Sequence, residues 1–391
     1  MLQIYYDQLM CKRRLLFVLF TNIRLGYGTE NSLYQYLSSF PRDTFEITVL
    51  QSDYAPVENI SSELLDELRD VNFVTIKPYF VKFNKFAIHG KVGMVLKDVL
   101  TPIYFKLMKI LLNKIIKKIG HFDCIYLFEN NHQYLFNRKD SVVIGSTHCW
   151  VPQRNSIVSR INNALIANGF MWRNIKAFHL LPGQSWFSSQ IPARSHFTIS
   201  NGVNLDSFRP IPSANNRIKI LYNSRLEPCK GIDTLLDCLK EFDDLKKFEF
   251  LIIGTGSSDQ RVMELKLPNV QFLGRVGEDK LHKYYGEADL FVAPTTCDTF
   301  SLVVAQALSS GTPCVVGKEL RGTYDEFEKI GFVKYINQDA LELKNALMSF
   351  VEDLDILKEK IPLARKIAEE SLNWREISIE LEKNMVQLLK Y

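Results

Sequence analysis

Two short stretches carry the side chains best suited to chemistry. In NSRLEPCKG (223–231), an apolar run ends near Ser224, and Arg225 and Lys230 follow in the next loop. Arginine offers a planar fork and lysine a point charge, so the pair suits a diphosphate. The alternative is a solvated basic loop, since exposed lysine and arginine are common. In DLFVAPTTCDTFSLVVAQALSSGTPCVV (289–316), an apolar run ends at Pro294 and a helical stretch begins near Ser301. The amides of Thr299, Phe300, Ser301 and Leu302 lie near that helix start, where backbone N–H groups favour an anion such as a leaving phosphate. Asp298 and Gln306 are eight positions apart. On a continuous helix that is about 12 Å along the axis and roughly 80° around it. Both could then face one cleft, with a sugar at one end and a ribose at the other. The competing reading is that Asp298 caps the helix.

These loops need a scaffold of strands and helices. The first half alternates LLFVLF (15–20), a helical pattern at Leu33, Tyr36, Leu37 and Phe40, and the strand-like runs FEITVL (45–50), NFVTI (72–76), FDCIYLF (122–128), SVVIGST (141–147), AFHLL (177–181) and HFTIS (196–200). Glycines 26 and 28 sit in the first strand-to-helix turn. The runs are short, β-rich and unbroken, as parallel strands covered on both faces should be. NGVNLDSFRPIPSANN (201–216) has turn residues and little periodicity, and is read as the linker. A second alternation follows: strands at 217–224, 248–254, 269–274, 289–294 and 313–317, with helices at 231–241, 278–287 and 301–310. The predicted fold class is α/β with two facing Rossmann-like, doubly wound domains and a cleft between them. The predicted domains are 1–205, 206–375 and a final helix, 376–391, returning towards the first.

A chain of 391 residues exceeds what one core usually serves. Its 46% apolar and 24% charged residues exclude disordered and fibrous classes. Seven scattered cysteines without C-x-x-C spacing predict reduced thiols, neither a zinc site nor a disulfide framework. Lys12, Arg13 and Arg14 precede LLFVLF, but the run is short and lacks a small-x-small cleavage site, so it reads as a buried strand. No apolar stretch reaches the roughly 20 residues needed to span a bilayer. Asp353 and Asp355 have D-x-D spacing but sit in a charged helical run, read as a solvated face. No metal site is predicted.

Charge is uneven. Between Lys77 and His121 there are ten lysines and one acid, Asp98. KPYFVKFNKF (77–86) interleaves aromatics with lysines, and 96–120 is amphipathic. This suits an anionic membrane surface. No nucleic-acid module accompanies it, so no nucleic-acid partner is predicted. The plain alternative is a helix that packs its apolar face on the sheet and shows lysines to solvent.

NGVNLDSFRP, SRLEPCKG, FLIIGTGSS, VQFLG, DLFVAPTTCDTFSLVVAQALSSGTPCVV and the tryptophan of LNWREI together resemble glycosyltransferase family 4. The resemblance is dense over 200–316. Over 15–199 it is looser, carried by LGYGTENSLYQYL, FDCIYLFENN and STHCW. It implies the GT-B fold and a retaining, metal-independent hexosyltransferase using a nucleotide sugar such as a UDP- or GDP-sugar, with no further cofactor. By matching positions it implies that Arg225 and Lys230 bind the diphosphate, Asp298 contacts the donor sugar, and Gln306 binds the ribose hydroxyls. It also implies that Gly26 and Gly28 form the N-terminal glycine loop and that His148 lines the cleft beside the transferred sugar. Asp298 and Gln306 stand where the family has two glutamates, so the reach is kept but one charge is lost. The acceptor implied is a glycan, glycolipid or lipid-linked glycan, met on the cytoplasmic face of a membrane. Two other readings stay open: a GT-B sugar-nucleotide epimerase or phosphorylase, and a degenerate, non-catalytic transferase subunit.

Overall fold

Unbroken apolar runs can satisfy their backbone only by pairing, and when both faces are apolar they pair inside a parallel sheet. The computed structural model shows this twice. It describes residues 12–19, 21–25, 28–53, 65–77, 110–128, 140–146, 175–184, 195–212, 217–242 and 247–390. The chain divides into two compact units, Met1–Ile199 with Ser378–Tyr391, and Ser200–Ile377.

In the first unit, β1 (Arg13–Val18), β2 (Phe45–Ser52), β3 (Asn72–Ile76), β4 (Cys124–Leu127), β5 (Val142–Ser146), β6 (Ile175–Leu180) and β7 (Ser195–Thr198) form one sheet. Its order is β3-β2-β1-β4-β5-β6-β7, and every pairing is parallel. The interior strand β1 sets Leu15 beside Ile47 on one side and Cys124 on the other. Helix α1 (Gly28–Ser39) buries Leu33, Tyr36 and Leu37, three of the four positions read as helical. Residues 15–18 of the LLFVLF run are thus strand in the interior of a sheet.

Residues 110–119 of the basic segment are helical. Leu112 and Ile116 are buried in the core formed by Leu16, Val18, Ile125, Leu127 and Phe178, and Leu111, Ile115 and Ile119 pack against it. Lys114, Lys117 and Lys118 are exposed. Over this stretch the apolar face is spent on the sheet. Residues 78–109 of the basic segment lie outside the described residues.

In the second unit, β8 (Ile218–Asn223), β9 (Phe248–Ile253), β10 (Val270–Gly274), β11 (Leu290–Ala293), β12 (Cys314–Gly317) and β13 (Val333–Ile336) form a parallel sheet of order β10-β9-β8-β11-β12-β13. The edge strand β13 was not expected. Its Lys334 and Tyr335 are only partly buried and break the apolar run that marks the other strands. The helices that pack here include α2 (Ile232–Lys240), α3 (Glu278–Glu287), α4 (Leu302–Ser309), α5 (Ile361–Ser371) and the start of α6 (Trp374–Leu388).

The segment after β7 is not a free linker. Val203 donates its N–H to the Leu372 carbonyl at 2.8 Å, and a Cβ on Gly202 would meet the Trp374 ring at 2.7 Å. From α5, the Arg365 guanidinium donates to the Leu205, Phe208 and Ser309 carbonyls at 2.9, 2.8 and 3.2 Å. One cation therefore ties the 205–208 stretch to the C-terminal end of α4. Among the described residues no helix is long and apolar enough to cross a membrane.

Candidate functional site

The strand order of the second unit selects the site. The chain runs β8, β9, β10 outward on one side, then returns to place β11 on the other side of β8. In such a sheet the connections from β8 and β11 leave for opposite faces, and the switch point at their carboxyl ends is where a ligand crevice is expected. Those two loops are residues 224–231 and 294–301, the stretches that carry Arg225, Lys230 and Asp298.

Several contacts hold the two loops together. Gly231 has φ +79°, and a Cβ there would lie 2.3 Å from the Pro294 carbonyl oxygen, so only glycine allows this approach. Thr296 donates its N–H to the Cys229 carbonyl at 2.8 Å. From the end of β13, the Gln338 amide donates to the Pro294 carbonyl at 2.8 Å. The buried Tyr222 hydroxyl donates to the Lys230 carbonyl at 3.3 Å. Lys230 Nζ forms an ion pair with the Asp298 carboxylate, with side chains only 12% and 17% exposed. In a part-buried place such a charge pair is strong, and removing one partner strands the other.

The loop after β9 completes the crevice wall. Ser257 donates through its N–H (3.1 Å) and hydroxyl (2.6 Å) to the Glu227 carboxylate. Those bonds hold the Glu227 carboxyl below its usual range. Leu226 donates its N–H to the Thr255 carbonyl at 3.1 Å. Arg225, directly before these two tethered residues, stays exposed.

Helix α4 starts at Leu302, so Asp298 is not on it. The helical spacing expected between Asp298 and Gln306 therefore does not apply, and neither does the capping reading. The cap is Ser301, in a left-handed conformation (φ 60°, ψ 80°) with no side-chain cap bond. A non-glycine residue held there is strained. What holds it is Tyr324, which is buried against the Phe300 ring and whose hydroxyl approaches the Phe300 and Ser301 carbonyls at 2.6 and 3.0 Å. Burial pushes the Tyr324 hydroxyl pKa well up, so it remains a donor. The Ser301 hydroxyl is buried and has no hydrogen-bond partner. Val304 and Ala305 donate their N–H groups to the Ser301 carbonyl at 2.9 and 3.3 Å, which leaves the Ser301 hydroxyl as an unpartnered donor at a helix start beside a lysine–aspartate pair. That arrangement can bind an anion through Arg225, Lys230 and the amides at 299–302, and a hydroxyl-rich group through Asp298.

Thr299 and Leu302 flank this turn and are partly buried, Phe300 is buried as a packing residue, and Gln306 is buried within α4. In the first unit, Gly28 opens α1 beyond the carboxyl end of β1. Gly26 and His148 lie outside the described residues. Sequence reasoning missed Glu227, Ser257, Tyr324 and Gln338. Each acts through a partner far along the chain, which no local spacing signals.

Comparison with known proteins bears on the fold and the family resemblance. Residues 217–353 match the family model described as "Glycosyl transferases group 1". The chain is 27% identical over 237 residues to the sulfoquinovosyl transferase SQD2 of Arabidopsis thaliana, covering 54% of this chain and 46% of that one. It is 27% identical over 209 residues to the GDP-mannose-dependent alpha-(1-6)-phosphatidylinositol monomannoside mannosyltransferase of Mycobacterium tuberculosis, covering 45% of this chain and 52% of that one. The chain thus spans about half the length of these curated relatives. Among solved structures, HepE of Anabaena in complex with UDP and glucose is similar with a TM-score of 0.67 at 18% identity, covering 95% of this chain and 99% of that one. The two parallel sheets and this similarity make the fold GT-B, with two Rossmann-like units.

Proposed function

We propose that this chain is a glycosyltransferase that takes its sugar from a nucleotide sugar bound by the unit Ser200–Ile377. The observation that carries this is the Lys230–Asp298 pair at the sheet's topological switch, beside the strained start of α4. In the free protein each charge neutralises the other. An arriving diphosphate competes for Lys230, joined by Arg225 and the amides at 299–302. Asp298 is then free to accept hydrogen bonds from the sugar's hydroxyls. Gln306 accepts from the ribose diol without charge assistance, at a cost of about 1 kcal/mol relative to a carboxylate.

The transfer proposed is the one the family resemblance implies. The C–O bond to the phosphate breaks while Arg225, Lys230 and the helix start take up the charge that develops on the leaving oxygens. The acceptor hydroxyl adds on the face the phosphate leaves, and the leaving phosphate accepts its proton. The outcome is retention, with no metal required for charge neutralisation. The family resemblance alone assigns His148, Gly26 and Gly28 to the transferred sugar, and Gly26 and His148 lie outside the described residues.

For the acceptor we favour a glycan, glycolipid or lipid-linked glycan at the cytoplasmic face of an anionic membrane. The mycobacterial relative, named as a phosphatidylinositol monomannoside mannosyltransferase, supports a lipid-associated acceptor. The lysine-rich stretch from Lys77 to His121 supports an anionic surface, and over 110–119 it offers charge rather than an apolar face. A screen of UDP-, GDP- and ADP-sugars with membrane acceptors tests the assignment. Transfer or slow hydrolysis that vanishes in Asp298→Ala supports it. Turnover unaffected by that change, or no turnover from any donor, sinks it. Release of free nucleotide and an epimerised sugar would favour the epimerase reading instead.

A further inference from the structure

We propose that Cys229 and Cys297 form a redox-modification site, a dithiol that closes to an intramolecular disulfide and clamps the two loops of the donor crevice. The pair is separated by 68 positions in sequence, yet the Cys297 thiol donates to the Cys229 sulfur at 2.7 Å. A covalent S–S bond is about 2.05 Å, so closure needs only a small side-chain movement. The backbone is already docked for it: the Cys229 carbonyl accepts from Thr296 N–H at 2.8 Å, and Cys297 N–H is held by the Thr295 hydroxyl at 3.3 Å.

Their surroundings set these two apart. Cys124, Cys238 and Cys314 are buried, and burial pushes all three thiol pKa values up, that of Cys238 to about 12. Such thiols are unreactive. Cys229 is exposed, and Cys297 lies behind it, half-buried, with its thiol raised by burial to about 11. Among the described cysteines, Cys229 is therefore the sulfur a small oxidant meets first. With a low-molecular-weight disulfide, the Cys229 thiolate attacks one sulfur and expels the other as a thiolate, leaving a mixed disulfide. Cys297 then loses its proton to solvent and attacks the Cys229 sulfur, breaking the mixed disulfide and releasing the second small thiol. Two protein thiols are oxidised by two electrons, and one small disulfide is reduced to two thiols. Disulfides of this transient, sensing kind occur in reducing compartments as well as oxidising ones.

The consequence for function rests on the donor-site reading above. Lys230 follows Cys229 and Asp298 follows Cys297. A covalent bridge between their neighbours holds lysine and aspartate together, opposing the separation a diphosphate requires. The oxidised protein should bind UDP or GDP at least tenfold more weakly than the reduced protein.

The test uses the full chain, treated with oxidised glutathione, alkylated and mapped by peptide mass. The expected result is a linked Cys229–Cys297 peptide pair, two hydrogen atoms lighter than the free peptides and separated again by dithiothreitol. Cys229→Ser and Cys297→Ser should form no link and should bind nucleotide equally with and without oxidant. If both thiols alkylate after treatment, or Cys229 stops at the glutathione adduct, the dithiol site is overturned. A disulfide that leaves nucleotide affinity unchanged overturns the clamp. Reduced protein that binds neither UDP nor GDP contradicts the donor reading instead, while the peptide map still decides the dithiol.

Discussion

The Lys230–Asp298 ion pair concentrates the chemistry of the site in two side chains, each only slightly exposed. Removing Lys230 takes a cation from the leaving phosphate, so Lys230→Ala should lower kcat/KM for the donor by about 10²–10³. Steady-state kinetics check this, and a loss of less than threefold would remove Lys230 from the site. Gln306 binds without charge, so its effect belongs to ground-state affinity. Gln306→Met should raise the donor KM about fivefold, a loss near 1 kcal/mol, with kcat nearly unchanged. The residue types were legible in sequence because a cation pair after a strand and amides before a helix are local features. Their partnership was not. Lys230 and Asp298 meet across 68 positions, and only the strand order puts their loops side by side. The helical spacing assumed for Asp298 and Gln306 failed because Ser301 turns left-handed and delays the helix to Leu302.

Short elements position these groups, and loop contacts fix the elements. Tyr324 holds the Phe300 and Ser301 carbonyls and so holds the strained turn. Tyr324→Phe should cost about 1–2 kcal/mol of stability, read from the denaturation midpoint, and weaken donor binding more than its distance from the ligand suggests. Stability lost with donor affinity intact would show that the turn is held by other contacts. The loop after β9 has a sharper requirement. Gly254 has φ +126°, and a Cβ would stand 1.8 Å from the Ser224 carbonyl oxygen. Gly254→Ala should therefore destabilise the second unit by roughly 2–4 kcal/mol, since the backbone at Ser224 must move. The strands were readable because parallel strands buried on both faces give unbroken apolar runs. Strand β13 escaped because, at the sheet edge, Lys334 and Tyr335 are partly exposed and interrupt that signal. The 201–216 stretch read as a linker because its tethers, Arg365 and Trp374, lie more than a hundred positions away.

At the scale of the molecule, two parallel sheets and a chain whose last helix contributes to both units fit the GT-B architecture that periodicity and motif order together suggested. The uneven charge belongs to this scale too. If the lysines between Lys77 and His121 face an anionic surface, the protein should float with phosphatidylserine or phosphatidylglycerol vesicles at low salt and be released as salt rises, because each surface lysine contributes about 1 kcal/mol that salt screens. Equal recovery with neutral vesicles, or none at any salt, would remove the membrane from the proposal. The claim on which the rest depends is that the crevice at 224–231 and 294–301 binds a nucleotide sugar. Calorimetric titration of the reduced full chain with UDP, GDP and their sugars addresses it directly. Saturable one-site binding is expected for at least one of them, weakened tenfold or more by Lys230→Ala. Heat of binding unchanged in Lys230→Ala, or absent for every nucleotide, would place the donor elsewhere or nowhere on this chain.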